Sequence, residues 1–389
     1  MGKKILVSVV SLALVGFAFV QIAPPLIEKS LNQVEPSVEP SVSPATLDFH
    51  NSLLVGDLHA DSLLWNRDLL QRSDRGHVDF PRLREGNVAL QMLTTVTKSP
   101  KGQNIHANEA EASDNITSLV ISQAWPGGTW QDLSERALYQ AQKLHEFVAR
   151  APDEVALVQS QGDLEVLLAE RAAGKSVVGA LLGTEGSHAL SGELANIDRL
   201  FDAGFRMMSL QHFFDNKLGG SLHGKSKLGL TSFGRDAVNQ MLKLGIMIDV
   251  AHSSEAVVRD VLTLSGGPVI VSHTGFRGHC DSSRNISDDL MKAIAAQGGL
   301  IGVGYWKQAI CDISAAGVAE AIVYGVNLVG EDAVALGSDY DGSVITSFDT
   351  SKLHLITAAL LEQGLSEEQV RKVMGGNMVR YLADNLPEV

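Results

Sequence analysis

Eight short apolar runs, separated by stretches with a helical period, constrain this chain more than anything else in it. The runs are Leu53–Leu58, Val88–Thr95, Val177–Gly183, Arg206–Gln211, Met247–Val250, Val269–Ser272, Leu300–Tyr305 and Val334–Gly337. Helix-patterned stretches between them include Leu133–Arg150, Leu194–Ala203, Ser232–Leu244, Ser254–Leu264 and Asp288–Gln297. A strand that is apolar throughout must be covered on both faces, and helical crossovers between parallel strands provide that cover. Eight such units in about 340 residues predict a (β/α)8 TIM-like barrel, with a doubly wound open sheet as the competing arrangement. Hydrophobic residues are 45% of the 389, ample for a large core, and no internal repeat divides the sequence. The barrel domain is expected to span 47–389.

Upstream of it the sequence changes character. Lys3 and Lys4 precede an apolar run from Ile5 to Ala23, so residues 1–23 read as a signal peptide or a signal anchor. No small-x-small cleavage site follows, which favours the uncleaved anchor. The positive end stays in the cytoplasm, which predicts an exported, periplasmic or otherwise extracytoplasmic body tethered to the membrane through its N-terminus. Residues 24–46 hold Pro24, Pro25, Pro36, Pro40 and Pro44 among Ser, Val and Glu, show neither period, and read as an extended spacer. Lys98–Gln131 is the longest insertion, and a loop of that length is usually functional or disordered.

Composition excludes some functions. A net charge of −14 leaves no basic face for phosphates and argues against nucleic-acid binding. The two cysteines, Cys280 and Cys311, form no CxxC pair, which argues against a thiolate zinc site. Export would permit a disulfide between them, with two unpaired thiols as the alternative.

What remains is a set of imidazoles and carboxylates at strand ends, where barrel active sites are built. The first strand runs into Asp57-Leu-His59-Ala-Asp61, the third into Glu185, the fifth into His252, the sixth into His273 and the eighth into Gly337-Ser-Asp339-Tyr-Asp341-Gly342. Alternation along a strand puts His59 and Asp61 on one side. Nitrogen and oxygen ligands without thiolate suit zinc, with manganese, cobalt or iron as alternatives. Three imidazoles and two carboxylates can hold two ions if one carboxylate bridges, and two such ions generate hydroxide and polarise a carbonyl. No G-x-S-x-G elbow, Walker loop or HExxH competes.

In combination these motifs resemble the membrane dipeptidase, or renal dipeptidase, family of amidohydrolase-like metal barrels, in its microbial branch. The resemblance runs from Leu47 to Asn385 and includes His77-Val-Asp-Phe-Pro-Arg-Leu-Arg-Glu-Gly86, Glu185-Gly186, Gly229-Leu-Thr-Ser-Phe-Gly234, Ile248-Asp-Val-Ala-His252, Ser272-His273 and Ser283-Arg-Asn-Ile-Ser-Asp288. It implies that His59 and Asp61 hold one zinc, that Glu185 bridges, and that His252 and His273 complete the second site. It implies further that His212 contacts the substrate near the scissile bond, that Arg284 binds the substrate carboxylate, and that Asp339 serves the proton transfers. A planar guanidinium suits a carboxylate, and an Asp beside a bridging hydroxide can pass its proton to the leaving amine. Asp57 and Asp249 are expected to orient ligands or backbone, Asp341 to hold the turn at Gly342, and His188 and His223 to have loop or surface roles.

The family's animal members carry a disulfide where Cys280 and Cys311 fall, and they are held by a C-terminal lipid anchor. This chain ends in Asn385-Leu-Pro-Glu-Val389, so the tether is expected at the N-terminus. The segment after His212, Phe213 to Gly220, is similar to microbial relatives instead. The expected activity is zinc-dependent hydrolysis of dipeptides, including those with a C-terminal D-residue, with a homodimer entertained as the assembly. The rivals are an N-acyl-D-amino acid deacylase or lactonase on the same site, and a silent, tethered binding protein.

Overall fold

The computed structural model describes residues 20, 22–35, 37, 39 and 41–388. Eight parallel strands, β1 (Val55–Ala60), β2 (Val88–Val96), β3 (Val178–Glu185), β4 (Phe205–Ser209), β5 (Met247–Asp249), β6 (Ile270–Thr274), β7 (Leu300–Val303) and β8 (Val334–Leu336), pair in chain order. β8 returns to β1 through Leu336↔Asp57, and β2 pairs with β3 from Leu90↔Gly179 to Val96↔Glu185, so the sheet has no open edge in this circuit. The closed barrel is thus the fold, and the open sheet is not. Strand limits agree with the apolar runs to within two residues, and the five helices named above to within one. Every residue of β1 through β8 is buried, as strands covered on both faces must be.

Local chemistry sets the helix starts. Asp132, Thr231, Ser254 and Ser314 each accept a hydrogen bond from a backbone N–H of the first turn of the following helix. Inside the barrel, Leu58, Leu90, Met92, Leu181, Met207 and Ile270 form a separate apolar cluster with Met378, Tyr381 and Leu382 of the last helix, Asn377–Asn385. Under the site the interior narrows. A Cβ on Gly337 would lie 2.0 Å from the Ser272 carbonyl oxygen, so β6, β7 and β8 converge there only because that residue lacks a side chain.

One expectation needs correction. Part of the stretch read as a spacer is folded onto the barrel: residues 22–31 are helical, and Gln33–Val34 pair in parallel with Ile345–Thr346 beyond β8. Its structure comes from tertiary partners that a local pattern cannot show. Glu28, 1% exposed, is ion-paired with Arg67 and, at 2.7 Å, with Arg75. The anchor expected at 1–23 lies almost wholly outside the described residues; among those described, no helix is long and apolar enough to cross a membrane.

The Lys98–Gln131 insertion is ordered, with a helix at Ile116–Ser122. Buried Arg136 holds it by donating to the Thr97, Thr129 and Trp130 carbonyls, to Asp114 and to the Thr117 hydroxyl. A Cys280–Cys311 disulfide, with Cα atoms 5.7 Å apart, joins the segments that follow β6 and β7.

Candidate metal centre

At the C-terminal mouth of the barrel, four imidazoles surround one carboxylate oxygen. Glu185 Oε1, at the end of β3, lies 3.1 Å from His252 Nε2, 3.4 Å from His273 Nε2, 3.4 Å from His212 Nε2 and 3.7 Å from His59 Nε2. Asp61 Oδ1 lies 3.6 Å from His59 Nε2, and Asp339 joins from the loop after β8. All eight residues singled out in the sequence therefore meet here, with Arg284 Nη2 3.4 Å from His252 Nε2. Potential ligands fall into two groups, one of His59, Glu185, His273 and Asp339 and the other of Glu185, His212 and His252. Glu185 is common to both, as expected of a bridging carboxylate. The remaining partition differs from expectation: Asp339 and His273 group with His59, where Asp61 was expected, and His212 groups with His252.

Hydrogen bonds fix which nitrogen of His59 and of His273 faces the centre. Asp249 Oδ2 accepts the Ser272 hydroxyl proton at 2.6 Å, and its Oδ1 accepts from the Ser272 and Ala251 N–H groups. With its own proton committed, the Ser272 oxygen is left to accept from His59 Nδ1 at 3.0 Å and His273 Nδ1 at 2.9 Å. Both rings then carry the proton on Nδ1 and present the Nε2 lone pair to the centre. Asp57 takes the other orienting role, accepting from His59 N–H at 2.9 Å. His252 and Asp339 both stand in left-handed backbone, φ 61° in each, a conformation non-glycine residues adopt at a cost.

The donor set fits metal. His59 Nε2 and Asp61 Oδ2 are buried without a hydrogen-bond partner. His252 Nε2 and His273 Nε2 lie 2.9 Å apart, and burial holds both rings well below the usual histidine range, so two neutral imidazoles crowd onto one carboxylate oxygen. Burial and the charges of Asp61 and Asp339 push Glu185 well above the usual carboxylate range. A cation between these groups would relieve all three conflicts.

Arg284, 2% exposed, donates to the His273 carbonyl at 3.0 Å and lies 5.0 Å from the Trp306 ring centroid. Its Nη1 has no partner, and a buried guanidinium with a free donor is suited to an anionic guest. Burial pushes Asp339 up to about 7, against the lowering pull of His59, which suits a group that exchanges protons at neutral pH. His212 Nδ1 lies 3.0 Å from the Lys98 carbonyl, which can only accept, so the neutral ring has a bare Nε2; burial lowers its pKa to about 4.

Above the centre is a cavity of about 470 Å³. Ser99, Asn104, Ile105 and Ile116 of the insertion line it, as do Trp306, Lys307 and Ser343–Ile345. Asp341 is not in the centre: it accepts from Ser62, Arg67 and His77 N–H and holds the loop. His188 and His223 are not on the surface. His188 is buried against Phe214, and His223, wholly buried, stacks on Phe213 with its ring 5.1 Å from that of His252. Sequence reading missed the shared role of Ser272; its place directly before His273 was the available signal. It also missed Thr94, whose hydroxyl donates to Asp61 Oδ1 at 2.6 Å, and nothing local marks that residue.

Comparison with known proteins bears on this arrangement. The family described as membrane dipeptidase (peptidase family M19) matches residues 45–385. Dipeptidase aclJ of Aspergillus oryzae is 28% identical over 353 residues, covering 84% of this chain and 77% of the relative. Among solved structures, the M19 metallopeptidase named dipeptidase AC superposes with a TM-score of 0.72 at 23% identity, covering 87% of this chain and 100% of its own. A metallopeptidase from Rhodobacter sphaeroides, liganded with a phosphinate mimic of the dipeptide L-Ala-D-Ala, gives 0.70 at 22% identity over 86% of this chain and 99% of its own.

Proposed function

This chain belongs to the membrane dipeptidase family and is a metallo-dipeptidase, and from that premise we propose that it is a dizinc enzyme acting on dipeptides with a free carboxylate, C-terminal D-residues included. The observation that carries this reading is the Glu185 oxygen ringed by four imidazoles, with the free Nη1 of buried Arg284 beside it. His59, Asp61, Glu185, His252 and His273 would hold the ions, Glu185 bridging. Zinc there would supply a water-derived nucleophile at neutral pH and polarise the scissile carbonyl.

The chain's own residues do the rest. Arg284 fixes the substrate carboxylate through Nη1 and so sets the peptide bond over the centre. Asp339 takes a proton from the attacking water and delivers it to the departing amine nitrogen. His212 stands beside the reacting bond, where a proton taken up on Nε2 would let it donate to the oxyanion that forms. The insertion walls one side of the cavity and so restricts water at the reacting bond. The acceptance of a D-residue draws on the L-Ala-D-Ala mimic bound by the Rhodobacter peptidase.

The test is a hydrolysis screen over L-L dipeptides, L-D dipeptides and N-acyl amino acids, with and without chelator, alongside metal analysis. Cleavage of free dipeptides that needs about two zinc ions per chain is expected. Activity on N-acyl amino acids with none on free dipeptides would overturn it. The same proposal places the enzyme outside the cytoplasm on an N-terminal tether, supported by Lys3, Lys4 and the apolar run to Ala23. Recovery of the chain in the soluble cytoplasmic fraction would remove that part alone.

A further inference from the structure

One wall of the cavity does not come from the barrel. It is the end of the N-terminal segment, fastened by Glu28 to Arg67 and Arg75, by Ser343 N–H donating to Asn32 Oδ1 at 2.8 Å, and by the pairing of Gln33–Val34 with Ile345–Thr346. The next residue, Glu35, lines the cavity, and its N–H donates to the Thr346 carbonyl at 2.8 Å. Glu39 further along is paired with Lys352, whereas the Glu35 carboxylate has no cation and no hydrogen-bond donor among the described residues.

The charges around the cavity are polarised as a result. Asp61, Glu185 and Asp339 belong to the metal centre; apart from them, Glu35 is the only acid among the described lining residues, and Arg284 and Lys307 are the only permanent cations. Arg284 follows β6 and Lys307 follows β7, while Glu35 is held against Thr346, in the segment that continues from Asp339 beyond β8. A dipeptide is itself a dipole, negative at its carboxylate and positive at its amine. With the carboxylate on Arg284, Glu35 is the one acid outside the metal centre, among the described lining residues, left to meet positive charge elsewhere on the substrate.

We propose that Glu35 is a specificity-determining residue that recognises positive charge on the amino-terminal half of the substrate. That charge is either the α-ammonium or a cationic side chain on the N-terminal residue. The proposal rests on the dipeptidase reading and goes beyond it, because it gives the segment ahead of the barrel a part in substrate choice. Attraction at a half-open rim is screened by salt, so its effect is moderate and falls as ionic strength rises.

The experiment uses the full chain as wild type, Glu35→Gln and Glu35→Lys, with Lys-Ala, Ala-Ala and N-propionyl-alanine, which is Ala-Ala without its amine. If the side-chain charge is read, Glu35→Lys lowers kcat/KM for Lys-Ala relative to Ala-Ala by roughly five- to tenfold, mainly through KM, and Glu35→Gln by roughly half that factor. If the α-ammonium is read, both dipeptides fall together relative to N-propionyl-alanine. Inhibition constants of phosphinate mimics of Lys-Ala and Ala-Ala, measured with the same variants, follow the same ratios. Ratios that do not change, or an equal fall on all three substrates, overturn the proposal while the dipeptidase reading stands. A wild-type chain that cleaves neither dipeptide overturns both.

Discussion

Asp339 and Asp341 share the loop after β8, both buried and both in left-handed backbone, with φ of 61° and 64°. Around Asp341 everything is paired: Arg67 Nη2 and Ser62 Oγ donate to Oδ2 at 2.5 and 2.6 Å, and His77 N–H donates to Oδ1 at 2.6 Å. The Arg67 guanidinium holds that carboxyl far below the usual range despite burial. Asp339 has Asp61 and Glu185 for neighbours, and burial lifts it to about 7. Burial is common to both residues, so it does not decide their chemistry. Partners do: one carboxylate is bound into the scaffold, and the other is kept available.

The contrast can be broken at several points. The largest expected effect is that of chelation, which should abolish turnover and be reversed by zinc; full activity in metal-free protein would mean that the crowded carboxylates and imidazoles serve some other end. Next, Asp339→Asn should lower kcat by about 10²- to 10⁴-fold while bound metal and thermal midpoint stay near wild type. Asp341→Asn should do the reverse. Removing one partner of a buried ion pair costs about 3–5 kcal/mol, visible in denaturant unfolding, and Asn tolerates the left-handed backbone, so loss of charge is what is measured. If instead Asp341→Asn spares stability and stops turnover, the two residues have been assigned the wrong way round.

A buried group with no charged partner of opposite sign tests burial as the largest cause. His50, 2% exposed and hydrogen-bonded to Thr357 and the Gly86 carbonyl, has its pKa lowered to about 4 by burial. Below the ordinary histidine value of 6.5 the unfolded chain takes up a proton that the folded chain refuses until about pH 4. Its contribution is therefore complete above pH 6.5 and lost as pH falls, by up to about 3 kcal/mol. His50→Gln should flatten the stability profile between these limits, and an unchanged slope would point to other groups. Smallest of all, breaking the exposed Lys225–Glu109 pair should change stability by less than about 0.5 kcal/mol.

Much of this was legible in the sequence, for a physical reason. A barrel strand is apolar on both faces, so Val88–Val96 and Val178–Glu185 declare themselves, and the polar residue that ends such a run is conspicuous. His59, Glu185, His252 and His273 could be picked out that way. What could not be read was anything set by distant partners. Ser272 looks like any strand serine until Asp249 and His59 are brought to it. His223 is separated from His252 by a loop, a helix and β5, and only folding places the two rings together. The N-terminal segment has too many prolines to show a period, and it is ordered by Arg67, Arg75 and Thr346 instead.

The Ser272 hydroxyl has one proton and two lone pairs, and all three are spoken for by Asp249, His59 and His273. The electron-donating strength of the two rings is therefore set at a single atom. A change that strengthens the Ser272–Asp249 contact makes both imidazoles better donors, and one that weakens it makes both poorer. Two candidate ligands from separate strands, β1 and β6, are thus inherited as a unit. A shift in metal preference at this centre cannot be made for one of them alone by any substitution at residue 272.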